Sequence, residues 1–307
     1  VIGSFDRLGY ARHRKRFREA DLSVRLEGRI CLVTGANSGI GRATSRALAA
    51  RGARVTLLCR DLGRGEEARD AIRRETGNAR VDLGLLDVAD LGSVRRLAAE
   101  RGREAVHALV HNAGVLPDRR ILTRDGLELA FATHVAGPHL LTALLASRLG
   151  SGRGRVVWVS SGGMYLERLS LEDVGWERRP YDGLSAYAQA KRMQVVMARA
   201  WAKRLAALGV EVHAMHPGWA DTPAVRTSLP RFHRLMGPLL RDAESGADTV
   251  VWLVVNPNLP GPSGSFWFDR SRVPAHYLPW TRERRGDAER LLRLCDEVTG
   301  LPEGTAA

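Results

Sequence analysis

Lysine is almost missing from this chain. Lysine and arginine together number 47 in 307 residues, yet only Lys15, Lys191 and Lys203 are lysine. Cysteine is equally sparse, limited to Cys31, Cys59 and Cys295. No CxxC pair and no Cys/His cluster has ligand spacing, which argues against a metal site and against a disulfide framework. A reducing, cytoplasmic compartment fits that usage. Long apolar runs are also lacking: a stretch such as 249–255 is far below the ~20 residues that span a bilayer. The basic N-terminus has no apolar segment of signal-peptide length. The chain therefore reads as soluble or peripheral to a membrane. Neither an internal repeat nor a low-complexity linker divides it, so one domain is preferred.

Positive charge is in excess, formally +13, beside 44% hydrophobic residues, enough for a full core at this length. Such a balance fits an anionic cofactor, an anionic membrane or nucleic acid. The arginines are scattered and interleaved with acids, as in 64–74. No recognition helix or aromatic stacking motif accompanies them, so nucleic acid is not expected. Residues 1–27 form a basic leader centred on Arg12-His13-Arg14-Lys15-Arg16. Its larger apolar side chains, Phe5, Leu8, Tyr10 and Phe17, make no clean helical stripe. The leader reads either as an arm covering part of the domain or as a helix in weak contact with anionic lipid.

Beyond the leader, short apolar runs alternate with helical patterns. Strands are expected at 29–34, 55–59, 81–86, 106–110, 155–159 and 210–215, and helices at 42–51, 65–75, 91–101, 127–135, 140–149 and 184–208. This order specifies an α/β fold built of right-handed βαβ units, its parallel sheet covered on both faces. Pro138 should kink the helix in which it falls.

Gly35, Gly39 and Gly41 lie between the first strand and its helix, in Thr34-Gly35-Ala36-Asn37-Ser38-Gly39-Ile40-Gly41. Glycines there permit a tight turn and close backbone approach to a pyrophosphate, while the helix N-terminus supplies N–H groups. The second strand ends in Cys59-Arg60-Asp61. An acid at that position would select NAD(H), and a cation would accept the extra phosphate of NADP(H). Arg60 holds the position and Arg42 directly follows Gly41, so NADP(H) is preferred over NAD(H). Asp61 dissents, unless it caps the next turn. Asp87-Val88 and Asn112-Ala113-Gly114 end the third and fourth strands, where a short polar side chain can reach adenine or ribose, though both are also ordinary turn sequences. Ser160-Ser161 ends the fifth strand and offers a hydroxyl to a substrate carbonyl. The loop after the sixth, His216-Pro217-Gly218-Trp219-Ala220-Asp221-Thr222-Pro223, is placed to close over a nicotinamide, with Thr222 on its amide or phosphates.

Tyr187 and Lys191 stand four residues apart, one helical turn on one face, and no other tyrosine has lysine at that spacing. The pair is either an ordinary surface contact or a proton-transfer device. In the second case the ammonium would lower the phenol pKa from about 10 toward working pH.

Thr34-Gly35-x-x-x-Gly39-x-Gly41, Asn112-Ala113-Gly114, Ser161, Tyr187-x-x-x-Lys191 and Pro217-Gly218 together resemble the short-chain dehydrogenase/reductase superfamily across residues 28–256. That resemblance implies a Rossmann-like three-layer α/β/α sandwich with a mostly seven-stranded parallel sheet. One domain of this type would span 28–285, with a C-terminal helix and tail over 286–307. Tyr187 would be the catalytic acid/base, Ser161 rather than Ser160 the catalytic serine, and Lys191 the group that holds the ribose hydroxyls and tunes the phenol. Cofactor contacts would come from Thr34, Gly35, Asn37, Ser38, Gly39, Ile40, Gly41 and Arg42, then Arg60, Asp87 and Val88. Asn112, Ala113, Gly114, Tyr187, Lys191, Pro217, Gly218 and Thr222 would complete the set. Finer strings resemble a narrower branch, among them Ser160-Ser161-Gly162-Gly163-Met164, Lys191-Arg192-Met193-Gln194-Val195-Val196 and Pro262-Ser263-Gly264-Ser265-Phe266-Trp267-Phe268-Asp269-Arg270. The glycine spacing differs from that of the extended epimerases and dehydratases. A dimer or tetramer through the Tyr187 helix is the family expectation, but the leader and tail could block it, so monomer or homo-oligomer stays open.

One departure stands out. Where the family has Asn in Phe-Ala-x-Asn-x-x-Gly, this chain has Phe131-Ala132-Thr133-His134-Val135-Ala136-Gly137. In the family that Asn shapes the helix and relays protons through water to the lysine, which places His134 among the catalytic candidates. The expected activity is hydride transfer between NADP(H) and a small-molecule carbonyl or alcohol. Pocket walls are expected from 164–182, 219–240 and the tail around Trp267 and His276. Trp176, Tyr181 and Trp219 point to a hydrophobic substrate, or else they fill the core. The alternative is a non-catalytic NADP(H)-binding scaffold or sensor, with His134 as the mark of a degenerate relay.

Overall fold

The computed structural model describes residues 4–302; residues 1–3 of the expected leader and 303–307 of the expected tail lie outside it. Seven strands run parallel: β1 (Ile30–Thr34), β2 (Arg54–Cys59), β3 (Val81–Leu85), β4 (Ala108–His111), β5 (Arg155–Val159), β6 (Glu211–Met215) and β7 (Phe266–Phe268). A short β8 (Ser271–Arg272) pairs antiparallel with β7, giving eight strands in the order β3-β2-β1-β4-β5-β6-β7-β8. The helices are α1 (Arg7–Arg14), α2 (Gly39–Ala49), α3 (Leu62–Thr76), α4 (Leu91–Glu100), α5 (Leu129–Phe131), α6 (Gly137–Leu144), α7 (Ala146–Gly152), α8 (Gly183–Arg204), α9 (Pro223–Ser228), α10 (Pro230–Met236), α11 (Ala243–Val255) and α12 (Asp287–Thr299).

Strand alternation sorts the core into two. Leu32, Leu109 and Val156 face one side with Val94, Leu141, Met193 and Leu291 from α4, α6, α8 and α12. Their neighbours Val33, Val110 and Val157 face the other side with Ile40, Ile72 and Val250 from α2, α3 and α11. Both faces are therefore dry at the central strands β1, β4 and β5, which are buried over almost their whole length, as a doubly covered parallel sheet requires. This is the three-layer α/β/α sandwich. β7 escaped the periodicity because it is three residues long.

Helix starts are set by short acids. Asp61, Asp90, Asp182 and Asp242 cap α3, α4, α8 and α11, each accepting the N–H three residues on. Pro138 produces a specific distortion. A π-helical turn, Ala132–Ala136, precedes it, with Gly137 N–H donating to Ala132 O. Proline has no N–H to return to His134 O, and Gln194 Nε2 of α8 donates to that carbonyl at 3.0 Å instead.

The leader lies on the domain. Phe5 and Tyr10 are buried, while Arg12, Arg14, Lys15 and Arg16 are exposed. At the other end, Leu291 and Cys295 of α12 enter the first core. Asp296 accepts from Arg204 of α8 at 3.1 and 2.8 Å and lies 2.9 Å from His139 Nε2 of α6, so the C-terminal helix is part of the core. No single helix among the described residues is long and apolar enough to cross a membrane.

Several histidines are buried in the neutral form. Burial holds His111 and His216 down to about 3 and His213 to about 4. An unfolded chain protonates each near 6.5, so the unfolded state binds more protons and stability falls as pH drops below that value, continuing to the folded pKa values. The loss between pH 6.5 and 5.5 should be about 1 kcal/mol per histidine. Thermal melts across that window should show a falling midpoint, with a shallower fall in His213→Gln. A midpoint that stays level until the carboxylate range would contradict this account.

Candidate active site

The chain reverses its direction of travel across the sheet between β1 and β4, and their carboxyl ends open a crevice there. Thr34 Oγ1 accepts from the N–H groups of Asn112 and Ala113 at 3.0 Å each. Asn112 Nδ2 donates to Thr34 O at 3.0 Å and Gly35 O at 3.2 Å. The Asn112 amide was expected to reach toward adenine or ribose; its NH₂ instead braces the glycine turn. Gly35 and Gly39 take φ of 63° and 50°, the left-handed region that favours glycine. A Cβ on Gly41 would fall 2.4 Å from both Asn112 Nδ2 and Gly35 O. Ser38, the N-cap of α2, makes no capping bond, unlike the four aspartates above, so the first N–H groups of α2 have no side-chain acceptor there. A glycine cradle leading to an uncapped helix start fits the pyrophosphate of a dinucleotide.

Asp61 is engaged as the cap of α3, its Oδ1 3.1 Å from Arg64 N, which removes the dissent noted at β2. Arg60 is exposed at the end of β2 with no ion pair among the described residues. Arg42, paired in expectation with Arg60, is instead held by Glu75 at 3.1 Å. Asp87 folds back on its own turn, Oδ1 accepting from Ala89 N at 3.0 Å. Val88 O presses on Gly137, where a Cβ would fall 1.8 Å away.

β5 and α8 bring the candidate chemistry together. Ser160 Oγ donates to Lys191 O at 2.8 Å, and Lys191 Nζ donates to Val159 O at 2.8 Å. Ser160 is thereby locked away from the crevice. Ser161 is half-buried, caps the short turn Gly162–Leu166 and stands beside the Tyr187 phenol, where its hydroxyl lowers the phenol pKa. Lys191 Nζ stands 5.4 Å from the centre of the Tyr187 ring. Burial raises the Tyr187 pKa and the Ser161 hydroxyl opposes this, so the net shift is upward, opposite to the expected lowering. Desolvation also pushes the Lys191 ammonium down to about 7, which weakens it as a fixed cation. The sequence shows a neighbouring charge but not the low dielectric around it.

His134 packs edge-on to Tyr187, ring centres 5.4 Å apart. Its Nε2 lies 2.8 Å from Val115 O and 3.3 Å from Val115 N. The shorter contact assigns the ring proton to Nε2, donating to the carbonyl. Burial, and then the Lys191 charge, hold its pKa well below 6.5. Gly114 is explained by this ring, since a Cβ there would fall 2.9 Å from His134 Cε1. Both His134 Nε2 and its carbonyl, bound by Gln194, are thus engaged within the protein.

Thr222 faces the glycine turn: a Cβ on Gly39 would meet its Cγ2 at 3.4 Å. Its hydroxyl caps α9, accepting from Val225 N at 3.3 Å. The proposed pocket walls divide. Trp176 is buried, with Arg179 3.7 Å over its ring and Tyr181 at 5.5 Å, so this cluster packs on itself. Tyr181 also donates to buried Glu128 at 3.0 Å. Trp267 is fully buried against Trp252 and His213, and His276 belongs to an ionic cluster with Glu283 and Arg192. Trp219 remains half-buried, against Phe5 at 6.0 Å and Phe232 at 5.8 Å. Sequence reasoning missed four supports: Gln194, Phe5, Arg241 and Asp269. Gln194 carries a signal, three residues beyond Lys191 on the same helix face; the others carry none, because their partners are remote in the chain.

A family model described as short chain dehydrogenase matches residues 29–231. Dehydrogenase/reductase SDR family member 12 of Bos taurus is 42% identical over 97% of this chain and 94% of its own length. Retinol dehydrogenase 12 of Homo sapiens is 37% identical over 91% of this chain and 89% of its own. A crystal structure of an uncharacterized protein from Mycobacterium paratuberculosis superimposes with a TM-score of 0.74 at 31% identity, covering 92% of this chain and 97% of that one. The sheet order, the glycine cradle at its switch point and the Ser161–Tyr187–Lys191 cluster agree with these matches, and the chain belongs to the short-chain dehydrogenase/reductase superfamily of NAD(P)-binding oxidoreductases.

Proposed function

We propose that this chain is an NADP(H)-dependent reductase of a hydrophobic carbonyl compound. The observation that carries the reading is the Tyr187 phenol, beside Ser161 and with its ring centre 5.4 Å from Lys191 Nζ, at the same sheet edge as the glycine turn. NADPH, when bound, supplies the hydride. Ser161 donates a hydrogen bond to the substrate oxygen, and Tyr187 gives that oxygen its proton. A phenol pKa raised by burial keeps the proton on Tyr187 at neutral pH, which favours the carbonyl-reducing direction. Lys191 holds the ribose hydroxyls from the floor of the site. Arg60 meets the 2′-phosphate, and the engagement of Asp61 in the α3 cap supports that choice. Trp219, Phe232 and the 79% exposed Leu235 form an apolar rim, and one relative bears the name retinol dehydrogenase. Both support a retinoid-like or steroid-like substrate class.

The engaged His134 favours a second reading, a nucleotide sensor without turnover. Tyr187→Phe separates the two. Across a panel of aldehydes and ketones, the wild-type chain should oxidise NADPH and the variant should lose about 100-fold or more in kcat, with NADPH affinity unchanged by fluorescence titration. NADPH binding with no turnover on any compound would leave the sensor. For the cofactor, Arg60→Asp should weaken NADPH about tenfold or more relative to NADH. Unchanged preference would sink the phosphate assignment.

A further inference from the structure

The leader is clamped onto the two segments that frame the catalytic cluster. Phe5 is 4% exposed, and its ring lies on Gly162, next to Ser161, where a Cβ would fall 2.7 Å from Phe5 Cε2. The same ring meets His216 at 4.7 Å and Phe268 at 5.2 Å, both edge-on. Phe5 O accepts from Trp219 N at 2.8 Å, and a Cβ on Gly218, φ 75°, would fall 2.6 Å from that oxygen.

Fully buried Arg241 fastens the arm from below. Its guanidinium donates to Ser4 O at 2.8 Å, Asp6 O at 3.1 Å and Pro217 O at 3.3 Å. Asp269 balances the charge with both oxygens, at 2.6 and 2.9 Å, and its Oδ2 lies 2.7 Å from His13 Nδ1 of α1. Asp269 and Arg270 both take positive φ, 48° and 57°, a strained conformation for non-glycine residues that this network sustains. Arg270 in turn covers Phe17 at 4.3 Å and pairs with Asp248. Gly9 lets the chain fold back over itself, since a Cβ there would fall 2.2 Å from Ser4 O.

We infer that the arm, residues 4–17, is a wall of the site, with Phe5 a positioning residue that sets the 216–222 loop against Gly39 and holds Gly162 beside Ser161. The inference rests on the reading of this crevice as the NADP(H) site. Arg241 N–H already holds Trp219 O at 2.8 Å, and Phe5 adds the second hold, from the opposite side, on Trp219 N–H. With Phe5 in place, Trp219 N–H is tied to the arm and Asp221 N–H to Arg241 O at 2.8 Å, and Thr222 is carried onto the glycine turn.

The test uses the full chain and three variants: Phe5→Ala, Phe5→Leu and His13→Ala. Hydrogen exchange is read over residues 215–222, and NADPH affinity by fluorescence titration. Phe5→Ala should speed exchange in that segment, leave 30–34 protected and weaken NADPH about tenfold. Phe5→Leu should restore both within about twofold, because it refills the space over Gly162. His13→Ala keeps the core intact and should speed exchange in the same segment, so it decides the matter if Phe5→Ala fails to fold. Unaltered exchange over 215–222 in every folded variant, or wild-type NADPH affinity in folded Phe5→Ala, overturns the inference. A wild-type chain that binds no NADPH would overturn the functional reading, and exchange would still judge the clamp.

Discussion

The buried ammonium of Lys191 is the constraint on which the site depends. A charged amine taken out of water needs partners, and here the partner is a carbonyl at the end of β5, Val159 O. The reciprocal bond from Ser160 Oγ to Lys191 O locks the same strand end to the same helix. With strand and helix pinned, the strand end that carries Ser161 and the helix turn that carries Tyr187 are held side by side. The cost of burial is visible in both ionisable groups: the amine is easier to deprotonate and the phenol harder. In the proposed reaction, that shift keeps the proton on the Tyr187 oxygen until a substrate oxygen is in place to take it.

Much of this was legible in the sequence because it is local. Strands β1 to β6 and the glycine turn announce themselves within a few residues, by apolar runs and by residues that permit positive φ. The Tyr187–Lys191 spacing is likewise a property of one helical turn. What could not be read is what depends on distant packing. Asn112 looked like a cofactor contact because its position was right; only the third dimension shows its NH₂ on Thr34 O and Gly35 O. Trp176 and Trp267 looked like pocket walls, but Trp176 packs on Arg179 and Tyr181 of its own loop and Trp267 is enclosed by Trp252 and His213. The direction of the Tyr187 shift failed for the same reason, since desolvation has no sequence signature.

His134 illustrates how a departure is absorbed. The larger ring is accommodated by Gly114, and its Nε2 by Val115 O. The carbonyl that Pro138 cannot serve is served by Gln194. The steric fit, Nε2 and the carbonyl are matched by residues from two separate segments, 114–115 and α8, while Nδ1 stays buried with no hydrogen-bond partner among the described residues.

The clamp on the arm also has a consequence for the order of assembly. Ser4 and Arg241 are 237 positions apart, and His13 and Asp269 are 256. During synthesis the arm must wait, with Phe5 and Tyr10 uncovered, until Arg241 and Asp269 have emerged. Such remote contacts form late because loop closure precedes any reward from them. The βαβ units can therefore close early, whereas the arm docks after them, and a chain ending between α8 and Arg241 would carry Ser161, Tyr187 and Lys191 without the docked arm.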